Sequence, residues 1–348
     1  MSSAPRIQRL AFFTRLLDAA PAAERYRLAT QQIVHAEALG YDAAWVAQHH
    51  FHEHEGGLPS PFVFLGHLAA LTSRIRLGTG IITLPLEMPV RVAEDATVLD
   101  LMSGGRLELG VGNGGNPTAF AGFELDTEQR NDLFVRHLAR LRGALAGEPI
   151  PGGDTLYPQQ TDLTRRIWQA TFSVSGGARA GHAGDGLMLS RTQPRQPEMP
   201  HATLAELQDP IIDAYLAALP AGRTPRIVGS RSVFVAESRA EARRLADIGL
   251  RTQARRFVER GFEAPGNTLD DLIRAFDVHV GTPAEVIVSL RADTTLARVT
   301  DLAVQVHSID PPHPLILRSI ELVAQEVAPA FGWQPHSLSA GTTTEEAA

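Results

Sequence analysis

Short, almost wholly apolar runs alternate with longer amphipathic stretches along the whole chain. The runs fall at 7–14, 43–48, 75–83, 107–112, 167–173, 186–191, 226–236 and 302–307. Their length and unbroken apolar character suit parallel strands buried on both faces. Between them lie helical patterns at 22–39, 61–71, 89–101, 128–146 and 312–327. In the first of these, Leu28, Ile33, Ala36, Ala38 and Leu39 form one apolar stripe fit to pack on a sheet. Pro89 stands where a helix starts and Gly40 where one ends, as backbone chemistry favours. Eight strands in strict alternation with helices predict an α/β chain folded as a closed (β/α)8 TIM barrel.

The pattern predicts one barrel domain over 1–336, an insertion at the C-terminal rim over 193–225 with its own helical stretch at 204–219, and a disordered tail at 337–348. An Arg-rich helical segment spans 240–275, and Thr282 is placed to cap a helix beginning at Pro283. With 44% hydrophobic and 20% charged residues, 348 residues suffice for a large core under a charged surface. The net charge of -7 argues against a nucleic-acid partner. The absence of cysteine excludes disulfides, thiolate metal sites and cysteine nucleophiles, so redox chemistry would have to come from a bound cofactor. No run approaches the ~18 apolar residues of a membrane span, and the expectation is a cytoplasmic protein with no membrane partner.

A barrel places its chemistry just past the strand C-termini. There the sequence offers Thr14 and Arg15, His49 and His50, Thr79 to Ile82, Asn113, Ser173 to Gly177, Ser190 and Arg191, and His307 and Ser308. The run His49 to Glu55 reads either as a divalent-metal cluster or as a solvated loop. It lacks HExxH, because Gly56 occupies the place of the second histidine, and no metal is assigned. The turn Ser173-Val174-Ser175-Gly176-Gly177 suits a phosphate, since free amides, hydroxyls and small residues meet at a helix start; a plain tight turn is the other reading. Gly110 to Gly115 is similar to a dinucleotide loop only superficially, because Asn116-Pro117 follows where a long helix should begin.

A denser pattern runs through Ala36-Glu37-Ala38-Leu39-Gly40-Tyr41-Asp42, Trp45, His49-His50-Phe51, Pro59-Ser60-Pro61, Arg74 to Gly80, Leu84-Pro85, Pro89 to Glu94, Leu99-Asp100 and Ser103 to Arg106. A sparser continuation lies at Gly184-Asp185-Gly186, Gly281-Thr282-Pro283 and 322–329. In these residues the chain resembles the luciferase-like monooxygenases. The resemblance implies a barrel enzyme that takes reduced FMN from a separate NAD(P)H:flavin reductase, uses O2 to oxygenate a small organic substrate, and forms a homodimer. Carried over by position, it implies His49 as a general base, a role that suits imidazole. It implies Thr79, Gly80 and Ile81 beside the flavin ring, with a cis peptide at Gly80–Ile81. It further implies Ser173, Ser175, Gly176 and Gly177 around the phosphate. Asn113 stands where bacterial luciferase has an arginine that reaches the phosphate, which makes Arg191 the candidate source of positive charge. Gln48 replaces a glutamate usual in the family, and Ala119 replaces a common acid. Three rivals remain at this point: a deazaflavin-dependent hydride-transfer dehydrogenase, a non-catalytic flavin-binding protein, and a metal hydrolase built on the histidine run.

Overall fold

The computed structural model describes residues 6–335 except 197, 260, 262 and 307–310; the tail expected at 337–348, and His307 and Ser308, lie outside the described residues. Among the described residues there are ten parallel strands: β1 (Arg9–Thr14), β2 (Ala43–Val46), β3 (Arg76–Thr79), β4 (Ile82–Thr83), β5 (Leu107–Gly112), β6 (Ile167–Ala170), β7 (Gly186–Leu189), β8 (Ile227–Val235), β9 (Val278–Gly281) and β10 (Asp301–Gln305). The ring runs β10-β1-β2-β3-β5-β6-β7-β8 and closes where β8 pairs with β10, Val228 beside Asp301 through Ser232 beside Gln305. The closed (β/α)8 barrel is therefore as expected. Two strands depart from the expected set. The run 75–83 breaks into β3 and β4 around the cis Gly80–Ile81 peptide, and β9 pairs with the far half of β8.

Helix ends follow the local chemistry. Pro61 and Pro89 sit at first helical positions and need no amide partner. Gly40 adopts φ 91° just past the first helix. Thr282 opens the helix Pro283–Ala292, with its amide donating to Glu285 Oε2 at 2.9 Å. The helical stretch expected within a rim insertion is instead a member of the outer ring, Leu204–Ala218. It packs on the helix Val174–His182, where a Cβ at Gly177 or Gly181 would come within 2.5 Å or 2.3 Å of the carbonyls of Ile211 and Tyr215. Those two glycines let the helices close to backbone contact.

Alternation along each strand sends Leu10, Phe12, Leu77, Leu109, Leu187 and Leu302 outward into the core shared with the helices. It sends Ala11, Ala43, Trp45, Trp168, Met188, Val228 and Ala303 inward, with Phe13, Ile81 and Ala170 packed on them. Trp45 and Trp168 meet edge to face at 5.7 Å between ring centres. Glycines on strands make room for them: a Cβ on Gly78 would come within 2.2 Å of the Trp45 ring, and one on Gly186 within 2.1 Å of Trp168. Below the two indoles, at the strand N-termini, lies a layer of charge. Glu108 accepts from Arg9, from Arg76 and, at 2.7 Å, from Trp168 Nε1. Arg9 also pairs with Asp301, and Arg226 lies over the Trp168 ring at 4.7 Å. The barrel interior is thus filled from its lower end to the tryptophan layer. A cavity of about 540 Å³ at the lower end, lined by Arg6, Gln8 and Trp333 among others, lies outside the strand ring, and among the described residues the interior is left open toward the upper rim.

Candidate active site

At the upper rim β2 runs into Gln48, His49 and His50. Each of the three side chains has a different task. Gln48 accepts from the Thr83 amide at 2.7 Å and donates to Glu87 Oε1 at 2.7 Å and to the Pro59 carbonyl at 3.2 Å. An amide can serve acceptor and donors at once, whereas a glutamate here would face Glu87, whose carboxyl burial already pushes above its usual range. Gln48 therefore clamps the chain just after the cis Gly80–Ile81 peptide.

His49 is partly buried, and its ring abuts the loop that follows: a Cβ on Gly56 would come within 2.4 Å of it. A cavity of about 210 Å³ opens beside it, lined by Arg25, Phe51, His52 and Gly57 among others. Burial, then the charges of Arg15, His50 and Arg191, lower its pKa from 6.5 to about 3. The imidazole is neutral at ordinary pH, and it becomes a better proton acceptor once an anion offsets the two guanidinium groups. His50 turns its edge to Phe123, 4.9 Å between centres, and its Nε2 is buried with no partner among the described residues. The remaining histidines of the run do not converge on a metal: among the described residues no cluster could hold one. The loop is instead fastened by Arg15 and Arg25, which donate to the carbonyls of Glu55 and Glu53, and by Asn116, which donates to the Glu55 carboxylate.

Next round the ring come Thr79, Gly80 and Ile81. Thr79 points outward and exchanges hydrogen bonds with Gly110, at 2.8 Å to the carbonyl and 2.9 Å from the amide. That leaves Gly80 and Ile81 to face the interior, where a Cβ on Gly80 would come within 2.7 Å of Phe13. Asn113, past β5, donates to Asn131 at the start of the helix Arg130–Ala146, and its Oδ1 is buried without a partner among the described residues.

Past β6, Ser173 caps the helix Val174–His182 by accepting from the Gly176 amide at 3.1 Å. The hydroxyls of Thr171, Ser173 and Ser175 are linked by steps of 3.3 Å. Gly176 and Gly177 are buried while Ser173 and Ser175 are exposed, so the hydroxyls and the helix N-terminus stay open to an anion. Thr171 was not among the sequence candidates, although Gly176 depends on it: a Cβ there would overlap Thr171 Oγ1 at 1.9 Å.

Arg191 does not extend this turn. It lies past β7 and donates to Gln305 Oε1 on β10 at 2.8 Å and to Ser232 Oγ on β8 at 3.2 Å. The expected source of phosphate charge thus stands on another wall of the mouth, drawn there by acceptors that strand alternation points inward. Sequence reasoning also missed those two acceptors. The signal was present: Asp301, Ala303 and Gln305 form one face of a strand, as do Val228, Ser230 and Ser232.

The family model described as luciferase-like monooxygenase matches residues 10–300. A 4-hydroxyprotoasukamycin monooxygenase of Streptomyces nodosus subsp. asukaensis is 42% identical over 178 residues, 43% of this chain and 48% of that protein. The chain spans about half or less of the length of the first curated relatives it matches. A solved monooxygenase of Streptomyces bottropensis superposes with a TM-score of 0.76 at 26% identity, covering 93% of this chain and 99% of that one. Two more distant structures share the fold. The oxygenating constituent of 3,6-diketocamphane monooxygenase from Pseudomonas putida, solved with FMN, has a TM-score of 0.72 at 20% identity over 94% and 99% of the two chains. A coenzyme F420-dependent tetrahydromethanopterin reductase of Methanopyrus kandleri has a TM-score of 0.64 at 17% identity over 93% and 99%.

Proposed function

The chain belongs to the luciferase-like monooxygenase family, and from that premise we propose that it is an FMN-dependent monooxygenase, using reduced flavin and O2 to oxygenate a small organic substrate. The observation that carries the reading is that one rim gathers an interior wall without polar side chains, at Gly80 and Ile81, and an open cradle of hydroxyls and amides at Ser173–Gly177. Thr171, Ser173, Ser175, Gly176 and Gly177 would hold the phosphate by hydrogen bonds and the helix N-terminus, and Asn113 stands beside them on the neighbouring strand. Gly80 and Ile81 would support the ring. Bound there, reduced FMN would supply the electrons for oxygen activation.

His49 is the proton acceptor in this reading. Its neutral imidazole sits among Arg15, His50 and Arg191, and the arrival of an anion raises its basicity. The loop 51–57, fastened over it, limits water around that ring. The proposal includes a separate NAD(P)H:flavin reductase as the source of reduced flavin. It also includes a homodimer, for which Val63 and Leu71 on one helix and Val98, Leu101 and Met102 on its neighbour supply exposed apolar surface.

Titration with FMN and with a deazaflavin, followed by oxygen uptake with reduced FMN, tests the reading. Binding of FMN with substrate-dependent uptake supports it. Binding of the deazaflavin alone, with hydride transfer and no oxygen uptake, would replace it with the dehydrogenase reading that the Methanopyrus fold makes worth testing. FMN binding without substrate-dependent uptake in any assay would leave a flavin carrier.

A further inference from the structure

Above Trp45 and Trp168 the barrel interior has two unlike walls. On one, β3 and β5 present Gly80, Ile81 and Gly112, with no polar side chain. In the strand order of the ring, β8 stands opposite β3. There and on its neighbours the interior residues are Ser232, Gln305 and Arg191, exposed by 0%, 1% and 6%. An arginine has only donors to offer, so Gln305 must turn its oxygen to Arg191 Nε, at 2.8 Å. That bond fixes the amide and leaves Nε2 as a donor. Nε2 is buried and has no partner among the described residues. An unanswered buried donor is costly, and such a group calls for a specific explanation; a ligand oxygen in front of it supplies one.

We infer that Gln305 Nε2, braced by Arg191, is the docking point for a carbonyl or carboxylate oxygen of the organic substrate. The inference rests on the flavin lying against β3 as proposed above. A ring supported on Gly80 and Ile81 would leave the space toward β8 and β10 for the substrate, between the ring and the Gln305 amide. Its apolar remainder lies against Phe13 and Met188, which pack on the tryptophan layer. The substrate class is thereby narrowed from any small apolar molecule to one that carries a single hydrogen-bond-accepting carbon–oxygen group. The pyrimidine edge of the flavin carries the same chemistry, and the experiment separates the two owners of that oxygen.

Acetophenone, benzoate and ethylbenzene share a ring and differ in the oxygen. Calorimetric titration of each into the FMN-saturated protein should show the first two binding about ten-fold more tightly than the hydrocarbon, the worth of one good hydrogen bond in a buried site. Gln305→Glu keeps an acceptor for Arg191 but replaces the donor by a second acceptor, and should abolish the preference and disfavour benzoate. Gln305→Leu should bring the three probes within about two-fold of one another. Circular dichroism of both variants checks folding, and the nearly isosteric glutamate guards against a trivial loss. Equal binding of all three probes to the wild type, or a preference that survives in both variants, overturns the inference. So does a ten-fold loss of FMN affinity in the variants with the probe preference intact, because the wall would then serve the flavin. Where the protein binds no FMN, the same titrations on the flavin-free protein decide: a preference lost in both variants keeps the docking point and removes the flavin reading alone.

Discussion

The two ends of this barrel are built from similar residue types and left in opposite states. At the lower end Glu108, Asp301, Arg9, Arg76 and Trp168 answer one another, and none has a buried polar atom without a partner. At the upper end His50 Nε2, Asn113 Oδ1, Gln193 Oε1 and Gln305 Nε2 are all buried without partners among the described residues. Saturated polar groups specify and stabilise a packing. Unsaturated ones cost stability and are retained where a ligand completes them. The contrast sets the saturated groups under the indoles against the unsaturated ones above them, although Arg74 Nε and Thr295 Oγ1, in connections at the lower end, are also buried without partners among the described residues.

Four measurements can break or sharpen that contrast. The largest effect is expected at the lower end. Glu108→Ala leaves Arg9 and Arg76 without their shared carboxylate and the Trp168 indole without its acceptor, and should lower the unfolding free energy in urea by about 3–5 kcal/mol. A loss near zero would mean that the lower layer is not where stability resides. At the upper end the opposite split should appear: His49→Ala should reduce reduced-flavin-dependent turnover by about 10²–10⁴-fold, with FMN affinity within about two-fold of wild type. Unchanged turnover would remove His49 from the chemistry.

The third effect is on acid stability. His49 and His279 have folded-state pKa values of about 3 and about 4, below their unfolded value near 6.5, so the unfolded chain binds more protons between these limits. Their contribution is complete above about pH 6.5 and is lost as pH falls toward the folded values. Unfolding free energies from urea titrations at pH 7 and pH 5 should differ by roughly 1–2 kcal/mol for each histidine, and His49→Ala should flatten the slope by its own share. An identical slope in the variant would contradict the buried, neutral imidazole. The smallest effect is that of Ser173→Ala. Losing the cap on Gly176 should cost about 1 kcal/mol of stability, and the same change should weaken FMN several-fold while leaving riboflavin, which lacks the phosphate, unaffected. Equal weakening of both would place the phosphate elsewhere.

Much of the barrel was legible because its signals are local. Apolar runs marked the eight ring strands, Pro89 and Gly40 marked helix ends, and the Ser173–Gly177 turn was legible as a helix start. The residues of the dense motif region were legible as a pattern, but many serve the fold. Glu37 accepts from the amides of Ser73, Arg74 and Ile75, Asp42 from Leu10 and Trp333, and Arg106 donates to the carbonyls of Ala69, Thr72, Ser103 and Ile75. What stayed hidden depends on strands distant in sequence. Alternation says that Gln305 and Ser232 face inward, but not that Arg191 will meet them there rather than the phosphate turn. The four residues of β9 are too few for a periodic signal, and their His279 interrupts the apolar run. The close approach of the helices at Gly177 and Gly181 is invisible until both are in place, which is why a ring helix was expected over the mouth.

Trp45 and Trp168 act as a depth stop. With Gly78 and Gly186 contributing no bulk beneath them, trimming either indole alone would hollow the stave layer without giving a guest any wall to rest on. Changes in what this protein accepts should therefore accumulate around its lip, while the paired rings stay where they are.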